Sequence, residues 1–530
     1  LKKTLMFMVV LCGLLILSLV ACSNAEEANV DQEKTNTEEE GKEVSESEQD
    51  QERILTIAIP NDIYSFDIHD HNQIDTEAVH INIFSYLLTR QTDMEVEPDL
   101  LESYEPVDDV TWAMSLKEGI TFHNGDPLTA EDVKFTLERV ANDDTLQEHG
   151  RLKVIKEVKI LNDYEFEIIT DGAQPTLMNL LSRIGSGILP KNYIEENGWD
   201  HFLSNPIGTG PFKFVEWRRD DRIILEPYEN YFEGRVQGID QVVFRVIPEV
   251  STRINELLTG GVDIVTDLTP DDMQRINAQE GVSAVSAPSQ RVGFLGLHHG
   301  EEHPTSDPKV REAIELAIDN EAITKQILLG EATPTRTRIT PGNFGAHPRL
   351  YNTYLYDPNR AKQLLEEAGY GDGLELTLTL ADNHYLKANE INEVIASMLA
   401  QVGIDVNIQF VDWSRFLELR NAGDYGQMYF AVYGNSIFDS SIGLQEFASN
   451  VGWDRASYRN EEVTELWEQA LNNMNFDERE EQYQRIQEIV AEERPKIYLY
   501  HQNEVYGVSD DVIFTPRTDS MLVIKDMRMQ

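Results

Sequence analysis

The chain has 530 residues, with 94 Asp or Glu against 44 Lys or Arg, a formal net charge of −50 and an isoelectric point near 4.5. That balance excludes a nucleic-acid binder, which needs clustered Lys and Arg for phosphate, and excludes adhesion to anionic lipid by charge. The length allows two to four domains with large hydrophobic cores, and an acidic surface of this kind suits a protein outside the cell.

Lys2 and Lys3 precede an apolar stretch from Leu5 to Val20. The stretch is shorter than the roughly 20 residues needed to cross a bilayer. With small residues before a cut site, it reads as a secretory signal over residues 1–21. The run Leu19-Val20-Ala21-Cys22 resembles a bacterial lipobox, whose thiol receives a diacylglycerol and becomes the mature N-terminus. The resemblance implies lipidation at Cys22. It also implies a protein anchored to the cell membrane on its extracellular face, at a Gram-positive surface or on the periplasmic side of a Gram-negative membrane. The two cysteines, Cys12 and Cys22, both fall in this leader, so no internal disulfide is expected. Residues 22–53 are rich in Glu, Asp, Asn, Ser, Thr and Gln and read as a disordered acidic linker.

From Ile54 onward, helices and strands intermix in an α/β pattern without internal repeat. Thr129 is placed to cap a helix beginning at Ala130. Val158, Ile160, Phe166 and Ile168 alternate about Asn162-Asp163, which predicts a hairpin. Phe212 to Val215 reads as a strand entered through Gly208-Thr209-Gly210-Pro211. Val310, Ala313, Ile314, Ala317 and Ile318 have helical spacing. Asp357-Pro358 opens a further helix that Gly369 closes. Leu374 to Leu380 alternates as a half-buried strand. Ile391, Val394, Ile395, Met398, Leu399 and Val402 form a helical stripe ended by Gly403. Ile404, Val406, Ile408 and Phe410 alternate as a strand.

Five stretches, in order, resemble the family 5 extracellular solute-binding proteins of bacterial ABC importers, the oligopeptide, dipeptide and nickel type. They are Leu116 to Val133 (containing Phe122-His123-Asn124-Gly125-Asp126), Pro206 to Phe212, Asp307 to Asp319, Asp357 to Gly369, and Tyr458 to Val463. The match runs from about Ile54 to about Val512. It implies a two-lobed, Venus-flytrap fold with mixed sheets. Lobe I would take residues 54–299 and 497–530, with 97–204 as an extra subdomain, and lobe II would take residues 300–496. It further implies a monomer without cofactor that captures peptides in an interlobe cleft and delivers them to a membrane permease driven by ATPase subunits. Nickel chelates, opines and oligosaccharides are alternative ligands for the same fold.

Within that frame the expected ligand contacts are Tyr64 and Phe66 after the first strand, Arg336 and Arg338 as carboxylate partners, and Trp413 at a strand end. The loop residues Tyr433, Asn435 and Asp439 complete the set, with Trp453. Asp439 is the candidate for a ligand ammonium, because Ser436 stands where dipeptide-binding relatives carry an acid. Relatives that bind nickel carry an Arg near Ser182 to Pro190; the register places Ser186 there, with Arg183 close by. His298, His299 and His303 are weak metal candidates, and a secreted metallohydrolase using them is the alternative of another class. Their spacing lacks the His pair at i and i+4 of helical zinc hydrolases. The chain has no phosphate loop of the Walker type, no third glycine after Gly208-Thr209-Gly210, and no Gly-x-Ser-x-Gly elbow, so no enzyme is expected.

Overall fold

The computed structural model describes residues 52–449 and 457–530. The expectations for the signal segment, Cys22, the acidic linker and Trp453 lie outside the described residues. Among the described residues, no helix is long and apolar enough to cross a membrane.

The architecture is mixed α/β and two-lobed, organised on one eleven-stranded sheet. From one edge, the order is Ile404–Val411, Leu374–Ala381, Met428–Tyr433, Val282–Leu297, Lys496–Ser509, Ile264–Leu268, Ile54–Ile59, Gln241–Val246, Arg222–Pro227 and Phe212–Arg218. The short strand Ala332–Pro334 pairs with Lys496–Ser509 off this path. The two longest strands, Val282–Leu297 and Lys496–Ser509, are antiparallel neighbours at the centre. Their two ends serve different cores. Tyr506 and Val508 pack with Leu55, Ile57, Val242 and Phe244. Leu295, Leu297, Ile497 and Leu499 pack with Ile314, Leu364, Leu378 and Ile395. A separate four-stranded sheet, Leu101–Pro106, Thr111–Leu116, Glu165–Thr170 and Ile155–Ile160, covers the helix Ala130–Asn142 around a core of Trp112, Leu137, Val158 and Ile168.

Local chemistry accounts for most element boundaries. Thr129 and Asp132 form a reciprocal capping box on the helix Ala130–Asn142. Asp357 accepts the Arg360 amide at 2.9 Å to start the helix Pro358–Glu367. The expected hairpin forms in register, with Val158 opposite Ile168 and Ile160 opposite Phe166. The helix Ala388–Gln401 stops two residues before Gly403, whose φ of 97° lies in the left-handed region. The strand from Ile404 is an edge strand whose apolar face fades along its length, leaving Phe410 exposed. Trp413 does not close this strand but opens the next helix, Trp413–Ala422, capped by Asp412.

His123 binds the stretch Leu116 to Val133 to the stretch Pro206 to Phe212. Its Nδ1 accepts the Gly208 amide at 3.2 Å, and its Nε2 donates to the Gly210 carbonyl at 3.0 Å. Only the neutral imidazole can do both. Burial pushes the ring down to about 4, although the Gly210 carbonyl opposes that shift. The folded state therefore binds fewer protons than the unfolded state between pH 4 and about 6.5. This contribution to stability is complete above pH 6.5 and is lost as pH falls toward 4. His123→Gln should flatten the stability–pH curve across that window by on the order of 2 kcal/mol, read from urea titrations at stepped pH. An unchanged slope would remove His123 from the acid sensitivity.

Candidate functional site

The register of the two central strands slips between Pro288 and Val292, where Ser289, Gln290 and Arg291 of one strand face Gln502 alone of the other. Proline cannot donate to the ladder, and a bulge next to it bends the strand and re-aims its side chains. Ser289 stabilises the bulge by donating to the Gln502 carbonyl at 2.7 Å and accepting the Arg291 amide at 2.9 Å. Gln290 and Arg291 consequently face a cavity of about 280 Å³, whose wall also includes Glu77, Arg183, Asn435 and Arg517. A second cavity of about 560 Å³ shares Ile74, Arg291, Val432, Glu504 and Ser520 with the first and reaches His384 and Lys387. The two together form a continuous cleft. The central strands line it at their middle, with Gln290 and Arg291 of the bulge and Gln502 to Tyr506 of the partner strand.

The guanidinium groups in the cleft differ in how firmly they are held. Arg517 is bidentate to Asp519 at 2.9 and 2.6 Å. Arg90 donates to the carbonyls of Met94 and Ile437 and lies over the Phe438 ring at 4.3 Å. Arg183 is paired with buried Glu148 at 2.5 Å and donates from Nε to the Ser436 carbonyl. Arg291 is held loosely: its side chain is 51% exposed and its Nε stands 3.9 Å from Glu504. Burial raises the Glu504 carboxyl above the usual carboxylate range, while the Tyr506 hydroxyl, donating at 2.9 Å, opposes that shift. Arg291 is thus the wall cation best placed to receive a carboxylate from outside the protein.

A third cavity, about 940 Å³, lies between residues 147–180 and the loop after Tyr433, and shares Gly434 and Ser436 with the cleft. Arg338 and Tyr433 line it. Arg338 donates to Glu446 at 3.3 Å and to the Gly434 carbonyl at 2.8 Å, and Arg420 donates to the Tyr433 hydroxyl.

The remaining expected contacts fall as follows. Asn435 stands in the cleft wall, where its amide donates to Asn343 at 2.7 Å and to the Asp439 carbonyl at 2.9 Å. Asp439 is withdrawn from the cleft. It is fully buried and bidentate to Arg479, with both oxygens at 2.8 Å, so its charge is already neutralised by a side chain 40 positions later. Phe66 is a core residue at 0% exposure, packed on His80, Phe214 and Trp217. Tyr64 is exposed, and its amide donates to Thr76. Arg336 is bidentate to Glu315 and donates to the Ala491 carbonyl. Trp413 stacks at 3.8 Å on His384, which stands in the cleft wall. His298 and His303 lie with Glu302 within reach of one ion. His299 is not part of that group and packs edge-on to Tyr458, with burial pushing its ring down to about 3.

Sequence reading missed Arg291, Glu504 and a buried group formed by His71, Glu77 and His80. Pro288, followed by the polar Ser289-Gln290-Arg291 and then the apolar Val292 to Leu297, was the available signal for the bulge. Glu77-x-x-His80 puts an acid and an imidazole on one helical face.

Residues 95–455 match the bacterial extracellular solute-binding proteins, family 5. The glutathione-binding protein GsiB of Salmonella typhimurium is 26% identical over 456 residues, covering 84% of this chain and 88% of that protein. The fold is similar to HbpA2 from Haemophilus parasuis, with a TM-score of 0.82 and 20% identity over 90% of this chain and all of that one. It is also similar to the periplasmic binding protein DppA from Helicobacter pylori in complex with the peptide STSA, with a TM-score of 0.70 and 25% identity over 90% and 98% of the two chains.

Proposed function

The chain belongs to the family 5 extracellular solute-binding proteins, and we propose that it captures short peptides with a free carboxylate in the bulge-lined cleft and delivers them to an ABC permease. The observation that carries this reading is Arg291: a loosely held guanidinium, set by the Pro288 bulge where the two cavities of the cleft meet. The cleft is a concave, mixed apolar and polar site of the kind small ligands occupy. The relative named for glutathione and the neighbour solved with a peptide support the peptide class. Capture is binding without turnover.

The first lobe is assigned to residues 54 to about 289 and about 502 to 530, with 97–204 as its added subdomain, and the second to the residues between. The boundaries expected at 299/300 and 496/497 move into the central strands because Leu295, Leu297, Ile497 and Leu499 pack with Ile314 and Leu378. The two central strands would act as the crossing segments about which the lobes close, so that ligand favours the closed population. The lipobox-like Cys22 and the residues after it support a lipid-anchored monomer outside the cell, held near the permease and its ATPase subunits.

A peptide at 100 times its dissociation constant should add about 2.7 kcal/mol of stability in a thermal-shift screen of the purified protein. If a sugar or nickel chelate stabilises the protein while every peptide class leaves it unchanged, the peptide reading is wrong. Arg291→Ala should weaken peptide capture roughly 10- to 100-fold, the loss of one charge-assisted pair, without lowering the melting point of the free protein. Equal affinity in titration calorimetry would exclude Arg291 as the carboxylate partner.

A further inference from the structure

Within and behind the cleft wall lie three side chains to which the capture of a peptide assigns no role. His71 and His80 are 2% and 0% exposed, and Glu77 is 2% exposed. Their facing atoms are His71 Nε2, His80 Nδ1 and Glu77 Oε2, with separations of 3.3, 3.7 and 4.0 Å. A point equidistant from three atoms so spaced lies about 2.1 Å from each, the bond length of zinc to imidazole nitrogen and carboxylate oxygen. Glu77 Oε2 is buried without a hydrogen-bond partner, a costly state that a bound cation would relieve. His80 donates from Nε2 to the Ser65 carbonyl at 2.9 Å, which turns the lone pair of Nδ1 inward, as the outer contacts of metal-binding histidines do. Phe66 and Phe84 pack against the His80 ring and fix its plane.

We propose that His71, Glu77 and His80 form a divalent transition-metal site, of the zinc, nickel or cobalt class, built into the first-lobe wall of the cleft. Two imidazoles and one carboxylate suit these ions and not calcium or magnesium. The residues come from two places, the loop at His71 and the helix Ile74–His80, so the ion ties one to the other. Arg183, a cation of the same wall, is already neutralised by Glu148. Loading has one identifiable cost. His71 Nδ1 accepts the Gln73 amide at 3.3 Å, and a metal on Nε2 moves the ring proton to Nδ1, which opens that bond. Glu77 also stands in the wall of the cleft. A bound ion fixes that side chain and so positions the wall, so metal loading tightens peptide capture, a step that rests on the reading of the cleft above.

The test uses purified full-length protein, stripped with a chelator and dialysed against Zn²⁺, Ni²⁺ or Co²⁺ alone. Elemental analysis should give about one ion per chain, and Co²⁺ should develop visible absorption bands typical of nitrogen and oxygen ligands. Glu77→Gln and His80→Gln, two near-isosteric changes, should each weaken metal binding more than 100-fold. His298→Ala with His303→Ala should leave the stoichiometry at one. Absence of stoichiometric binding in the unaltered protein, or undiminished binding in both single variants, overturns the site. Loss of the ion in the His298/His303 variant instead assigns it to that other cluster and overturns it equally. Arg291→Ala should retain the ion while losing peptide, so failure of the cleft reading and failure of the metal site are read separately. Equal peptide affinity with and without metal overturns the coupling step.

Discussion

Asp439→Ala should cost about 3 to 5 kcal/mol of folding stability while leaving ligand affinity of the folded fraction almost unchanged. The carboxylate holds both terminal nitrogens of Arg479 at 2.8 Å and accepts the Ser441 amide at 2.9 Å, which starts the short helix Ser440–Leu444. Arg479 in turn donates from Nε to the Ala470 carbonyl at 2.9 Å and lies against the rings of Phe344 and Tyr483. Both side chains are at most 1% exposed, so neither charge can be hydrated when its partner is removed. The cost is dominated by the stranded guanidinium and not by the net worth of the pair. A double replacement, Asp439→Ala with Arg479→Met, should therefore recover a large part of the loss. Urea denaturation of the three variants checks this through the midpoint at constant slope. A loss below 1 kcal/mol in the single variant, or a large loss of peptide affinity in its folded state, would return Asp439 to the ligand.

This residue also shows where sequence reading stops. Asp439 follows an aromatic, glycine-bearing loop, and an unpaired acid there suits a ligand amine. What decides otherwise is Arg479, on a helix whose packing against the loop is a tertiary event. Phe66 fails for a similar reason: its position after the first strand is correct, but its ring points into the core as a support for His80. The helix starts at Thr129 and Asp357 were legible because capping is settled within three residues. The alternating strand at Leu374 was legible because its period is a local property of the sequence. Arg291 was not, because a bulge exists only relative to a partner strand, and that partner lies some 210 residues further along the chain. The fold of this protein is written largely in local patterns, whereas its cleft is written in pairings between distant segments.

Gly210→Ala should destabilise the protein by about 3 kcal/mol, for a reason different from the one that makes glycine useful in turns. Neither Gly208 nor Gly210 has a positive φ. Their requirement is space. A Cβ at Gly210 would lie 2.6 Å from the Ile83 carbonyl carbon and 2.7 Å from the Asn82 oxygen, and one at Gly208 would lie 2.2 Å from the Ile83 oxygen. These are backbone atoms, so no rotamer change can relieve the clash. The approach is close because Gly210 donates to Ile83 at 2.9 Å and Phe212 donates to Asn82 at 2.9 Å. Asn82 is itself fixed: its amide donates to the Leu522 carbonyl at 2.9 Å and its oxygen accepts the Ile524 amide at 3.0 Å. Displacing Gly210 thus disturbs the contact of the C-terminal segment and the two bonds of His123. Gly119→Ala is the control: its φ is 82°, with no neighbouring atom within 4 Å, so only backbone strain of about 1 kcal/mol is expected. Thermal and urea unfolding of the two variants separate the explanations. Similar losses at both positions would mean that Gly208 and Gly210 serve a turn alone. A loss at Gly210 several times larger places their importance in the backbone-to-backbone contact of Gly208 and Gly210 with Asn82 and Ile83, to which the segment Leu522 to Ile524 is also bonded.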